Sequence, residues 1–135
     1  DLSEASVEDM LINIMNATDS TGLRIGLKGL KLLVAPNEKY NAIRILKSSG
    51  QSGNANNDIN AIKDELTPVV WPFQTDPDQW GIKTDVEKGL MVFNRRAASF
   101  DKDSDFDTGN YKHKGTFRLV GGWADWRTYY ASQGA

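Results

Sequence analysis

The sequence predicts an α+β domain. Three observations carry that reading. Residues 3–17 repeat apolar side chains at helical spacing, and residues 111–123 alternate with period two. Between them the order is helix, strand, helix, loop and then mostly strands. The strict βαβα rhythm of a parallel sheet is missing, and no internal repeat is present.

In residues 3–17, Val7, Met10, Leu11, Ile14 and Met15 follow the i, i+3, i+4, i+7, i+8 pattern of one apolar helical face. Ser3 as N-cap would let Leu2 and Val7 form a hydrophobic staple, and Ser6 with Asp9 three residues on is the rival cap. The TDSTG run at 18–22 breaks the helix. Residues 23–36 read as turn and strand, with Lys31-Leu32-Leu33-Val34 at the apolar centre. Pro36 suits the first turn of a second helix, whose apolar line is Tyr40, Ile43 and Leu46 with Ala42 and Ile45 beside it.

Residues 48–58 form a polar loop rich in glycine and asparagine, with no apolar anchor. A long bare loop of this kind is expected to be the most mobile part of an isolated chain. A short helical stretch is expected at 60–63. Residues 66–73 read as a strand that Pro68 and Pro72 confine to an edge or bend. After the Asp76-Pro77-Asp78 turn come strands at 80–84 and 90–95.

The last stretch alternates almost strictly. Tyr111, His113, Gly115, Phe117, Leu119, Gly121 and Trp123 share one parity, and Lys112, Lys114, Thr116, Arg118, Val120 and Gly122 share the other. At about 3.3 Å per residue such a strand runs roughly 40 Å, beyond the usual length, so it needs partners throughout. The pattern predicts Phe117, Leu119 and Trp123 on a core supplied by the rest of the chain, with Lys112, Lys114 and Arg118 outward. In an extended GWADWR ending, Asp125 and Arg127 would share one face and make charged contacts. Trp126 would anchor the other face.

Composition narrows the function classes. The 135 residues suit one domain, and 39% hydrophobic with 25% charged residues is ordinary for a globular protein. A net charge of −2 gives no basic footprint for nucleic acid. Without cysteine there is no disulfide framework, thiol nucleophile or thiolate metal site. No apolar run approaches the ~18 residues of a membrane span, and nothing reads as a signal peptide.

The candidate chemistries fall short one by one. Gly26 and Gly29 have the wrong spacing for a dinucleotide fingerprint and precede a strand. Asp101, Asp103, Asp105 and Asp107 begin like a calcium loop, but position six is Phe106 and position twelve is Lys112, so they read as a solvated acidic turn. His113 is the single histidine and has no motif-borne nucleophile near it. Trp71, Trp80, Trp123 and Trp126, with Asp76, Asp78 and Asp125, could line a sugar-stacking surface. The residues therefore point to no catalytic, cofactor or metal site, and favour assembly over catalysis.

Several motifs in order carry a family resemblance. They are LSEASV at 2–7, LLVAP at 32–36 followed by a helix ending in LKS, NDIN at 57–60, LTPVV at 66–70 and WGIKTD at 80–85. Then come DFDT at 105–108, KHK at 112–114, GWADWR at 122–127 and SQGA at 132–135. With these the chain resembles the C-terminal region of tailed-bacteriophage major capsid proteins of the Hong Kong 97-type fold. Lys28-Gly29, where many relatives carry proline, departs from the pattern at one turn.

The resemblance implies a structural subunit of an icosahedral head enclosing double-stranded DNA, with no catalysis and no cofactor. Residues of about 23–90 would form the axial domain, and about 1–22 and 91–135 the peripheral-domain elements. Implied partners are other copies of the chain in pentamers and hexamers, then scaffold, portal or cement proteins, with no sequence-specific nucleic acid and no membrane. The implied location is the virion, assembled in the bacterial cytoplasm. The loop at 48–58 would lie near the capsomer axis, making Gln51, Asn54 and Asn56 subunit contacts beside Asp125, Trp126 and Arg127. The family's amino-terminal arm, extended loop and spine helix have no counterpart, which with Asp1 in first place suggests a piece of a longer protein. The alternative is a carbohydrate-binding or adhesive module using the tryptophans.

Overall fold

The computed structural model describes residues 1–51 and 58–134. It is α+β, with two helices and two separate sheets. The expectation of a mobile loop falls largely on residues outside the described ones. The chain divides into two compact units, one made of Asp1–Glu87 with Arg127–Ala135 and one of Lys88–Trp126.

In the first unit, helix α1 spans Glu4–Met15. Ser3 caps it: its hydroxyl accepts from the Ser6 N–H at 3.2 Å, and the Ser6 hydroxyl accepts from the Ser3 N–H at 3.0 Å. Ser6 is therefore the reciprocal member of the box and not the cap. Leu2 and Val7, the staple pair, are both buried in the core cluster. Val7, Leu11 and Ile14 form the helix's buried face. Fully burying side chains of this size contributes about 1.5–3 kcal/mol each.

Strands β1 (Gly29–Val34), β2 (Thr67–Val70), β3 (Trp80–Thr84) and β6 (Tyr129–Ser132) form one sheet in the order β2-β1-β3-β6. β1 pairs with β2 in parallel, and β1–β3 and β3–β6 are antiparallel. A parallel pair needs a crossover, which here is a 3₁₀ turn at Pro36–Glu38 running into helix α2 (Lys39–Lys47). One βαβ unit is thus embedded in an otherwise antiparallel design. β2 is an edge strand, as its Pro68 requires.

The core joins α1, β1, α2 and β3 through Leu11, Ile14, Leu32, Val34, Leu46, Trp80 and Ile82, with Ile62 and Leu66 closing it from the loop side. α2 buries Ala42 and Leu46, whereas Tyr40 and Ile43 are exposed. The expected Tyr40–Ile43–Leu46 line is therefore rotated: the small Ala42 faces inward and the ring of Tyr40 stays in solvent. Residues 60–63 form turns and no helix. Asn60 there is buried, and its side-chain amide donates to the carbonyls of Ile45 at 2.5 Å and Ser48 at 3.2 Å, capping the end of α2.

The second unit is a single long β-ribbon. Strand β4 (Leu90–Ser104) pairs antiparallel with β5 (Tyr111–Trp123), and among the described residues neither has a further strand partner. Where the sequence reading expected the rest of the chain to flank this strand, β4 is the one strand among the described residues that pairs with it.

Gly81 of β3 sits under the side chain of Tyr129. A Cβ there would lie 2.5 Å from the ring's Cζ and 2.7 Å from the carbonyl oxygen of Tyr130, which is backbone and cannot swing away. Gly81→Ala should therefore destabilise the first unit by about 1–3 kcal/mol, as overpacking does. A urea-unfolding midpoint equal to that of the parent chain would refute this reading.

Candidate interaction surface

Among the described residues, 11 of the 21 exposed large apolar side chains lie in the ribbon unit and the other ten in the first unit. The register pairs Leu90 with Trp123, Val92 with Gly121, and Phe100 with Gly115. Directly paired residues share a face, so Leu90, Val92 and Phe100 lie on the same side as Tyr111, Phe117, Leu119 and Trp123. The alternation in β5 was thus a true guide to which residues face together. It was wrong about what covers them. Phe117 is 68%, Leu119 61% and Trp123 62% exposed. They do not pack on a core, because within this unit no second layer exists. Lys112, Lys114 and Arg118 are exposed on the other face, as expected.

That other face changes character along its length. Near the base it pairs Phe93 with Val120, in the middle Arg96 with Arg118, and toward the tip Asp101 with Lys114 and Asp103 with Lys112. The base is closed by the Ala124 N–H donating to the Gly89 carbonyl at 2.7 Å. At the tip the Asp105 N–H donates to Asn110 O at 2.9 Å, the Gly109 N–H donates to Asp105 O at 2.9 Å, and Phe106 is fully exposed. Asp101 and Asp103 belong to the end of β4, and only Asp105 and Asp107 lie in the turn. Among the described residues no group of three His, Asp or Glu stands together to hold a metal ion. No helix among them is long and apolar enough to cross a membrane.

Of the six residues singled out as subunit contacts, four are described. Asn54 and Asn56 lie outside the described residues. Gln51 donates its N–H to Asp58 O at 2.8 Å, and lines a cleft of about 420 Å³ with Ser3, Asn41, Arg44 and Asn60. The GWADWR ending is not extended: Trp126–Thr128 is a 3₁₀ turn, so the parity argument for Asp125, Trp126 and Arg127 fails. Trp126 is 66% exposed and is no buried anchor. Arg127 is mostly buried and turned inward. Its guanidinium donates to the Thr18 carbonyl at 3.1 Å and stands 4.0 Å from the Asp19 carboxylate, while its own carbonyl accepts from the Thr84 hydroxyl at 2.7 Å. It is a structural tie within the first unit. Of the four tryptophans, Trp80 is core, so the proposed sugar platform loses one member.

The ribbon's edges escaped the sequence reading, and the signal was the length of β4. The aspartates at 101 and 103 looked like turn residues, yet each stands across the sheet from a lysine. Comparison with family models, with curated proteins and with solved structures gave no match.

Two outcomes follow. Lys112 donates to Asp105 at 2.8 Å, and this bond, with a further one from Thr108, holds the Asp105 carboxyl below its ordinary value. A depressed carboxyl stabilises the tip above the unfolded pKa of about 3.9 and loses that contribution as pH falls through the lower folded value. Lys112→Met should raise the Asp105 midpoint in a side-chain NMR titration, and an unchanged midpoint would sink the assignment. Arg127→Glu should lower the stability of the monomer by about 1.5–3 kcal/mol, the range for a charged hydrogen bond. A chain that unfolds at the parent's midpoint would return Arg127 to the surface contacts.

Proposed function

We propose that this chain is a shell-building piece of a tailed-phage or prophage major capsid protein of the Hong Kong 97 type. In this reading it has no catalytic role. Its partners are other copies of itself in pentamers and hexamers, with scaffold, portal or cement proteins around them. Its place is the virion, after assembly in the bacterial cytoplasm. The observation that carries the reading is the ribbon: a long two-stranded arm with one face of exposed aromatic and aliphatic residues that its own unit leaves uncovered. A two-stranded ribbon is marginal alone in water, and exposed apolar patches of this kind mark contact surfaces. The ordered capsid-like motifs from LSEASV to GWADWR supply the second support. In the proposed assignment the ribbon is peripheral domain, and the sheet with β1, β2 and β3 is axial domain.

Trp71, Trp123 and Trp126 are exposed, and this favours a glycan-binding module as the second reading. It is distinguished by saturable binding on a glycan array that Trp123→Ala abolishes.

The test is expression of the complete reading frame that contains this chain, followed by negative-stain microscopy. Closed particles of uniform size are expected. Phe117→Asp, on the uncovered face, should leave soluble subunits and eliminate the particles. A wild-type product that stays monomeric at every concentration would overturn the proposal.

A further inference from the structure

We propose that the outer edge of β5 docks the outer half of β4 from a second copy of this chain, so that ribbons stand side by side and point the same way. The proposal deepens the shell reading and rests on it only in taking the partner to be a second copy.

Among the described residues the ribbon ends at two strands, so both outer edges carry backbone N–H and C=O groups without a ladder partner there. The two edges differ. β4 shifts register between Asn94 and Arg96 and again between Arg96 and Ser99, whereas β5 carries no such irregularity. Bulges of this kind spoil an edge for pairing, so β5 offers the long regular one. On β4 the regular stretches are 90–94 and, toward the tip, 99–104.

Charge selects the partner. The tip half of β5 carries Lys112, His113 and Lys114 with no carboxylate, and the tip half of β4 carries Asp101 and Asp103. Within one ribbon these stand opposite each other, yet among the described residues Lys112 pairs with Asp105, and Asp101, Asp103 and Lys114 make no ion pair. A second ribbon beside β5, in the register already used inside the ribbon, puts its Asp103 against Lys112 and its Asp101 against Lys114. Its Lys102 meets His113, the one pairing that gains nothing. Pairing β5 with β5 of another copy brings no carboxylate to the cationic residues. The register is also open to hydrogen bonding. In an antiparallel pair, residues facing outward on one strand stand opposite residues facing outward on the other. Repetition of this head-to-tail contact makes a ring when the rotation closes.

The chain has no cysteine, so pairs can be introduced cleanly. Chains carrying Lys102→Cys and chains carrying His113→Cys are mixed and oxidised, and likewise Ser99→Cys with Thr116→Cys. The two pairs sample both phases of the ladder. A disulfide between unlike chains in at least one mixture is the expected result. Adding Asp101→Lys and Asp103→Lys to the Lys102→Cys chain should abolish its product. Lys112→Glu with Lys114→Glu on the partner should restore it, which a general loss of folding would not allow. No mixed-chain disulfide in either mixture overturns the proposal. So does a dominant homodimer from Phe117→Cys alone, which reports two-fold β5–β5 pairing. Repeating the mixtures in particles made from the complete reading frame separates the two ideas. Shells without the cross-link overturn the edge contact alone, and the cross-link without shells overturns the shell reading alone.

Discussion

Gly29 is the point on which the first unit closes. A Cβ at this position would lie 2.8 Å from a methyl of Leu11, 3.0 Å from Ile82 and 3.0 Å from Leu66. Three elements therefore bring a side chain onto one backbone position: the first helix, the third strand and the segment leading into the second. Protein interiors pack to crystal-like density, so an added methyl has nowhere to go without displacing one of the three. The same glycine begins β1, whose Leu32 and Val34 then continue the core toward Trp80 and Ile82. The missing Cβ lets Leu11 of α1 approach the sheet closely at this position.

Around that point the sequence was readable wherever a local rule and the core agreed. The cap at Ser3, the Leu2–Val7 staple and the buried stripe of α1 all follow from spacing and short-range hydrogen bonding. In α2 the reading placed Leu46 correctly but put Tyr40 and Ile43 on the apolar line, where the buried partner of Leu46 is Ala42. Ala42 faces the sheet, where a short side chain permits close packing, and Tyr40 remains in water. The parallel β1–β2 pair is a tertiary choice that no window of residues announces. The 3₁₀ turn at Trp126–Thr128 overrode an argument that assumed an extended chain, and Arg127 became an internal tie.

The ribbon shows a different limit. Alternation in residues 111–123 states which side chains share a face, and it did so correctly. It is silent on whether the covering layer lies in the same chain. A sequence shaped by association obeys the same periodicity as one shaped by a private core, because water penalises both faces by the same rule. Phe117, Leu119 and Trp123 keep the alternation while staying exposed within their own unit. Among the proposed contact residues, the 3₁₀ turn removes only the parity on which Asp125, Trp126 and Arg127 were grouped. Gln51, Asn54 and Asn56 rested on the family resemblance alone.

Chain order adds one more consequence. The first unit is interrupted: β6, its last strand, follows the ribbon, and the Thr84 hydroxyl bonds to the Arg127 carbonyl where the two parts of that unit rejoin. During synthesis both helices and three strands emerge first, with the outer side of β3 still open. The ribbon must then leave the ribosome before β6 can fill that side. Loop-closure entropy grows only slowly with length, so the long intervening segment adds little to the cost of bringing β6 home. An early-formed ribbon brings its own two ends together and lowers that cost further. The ribbon is thereby made before the first unit is complete, and β6 acts as the latch of that unit.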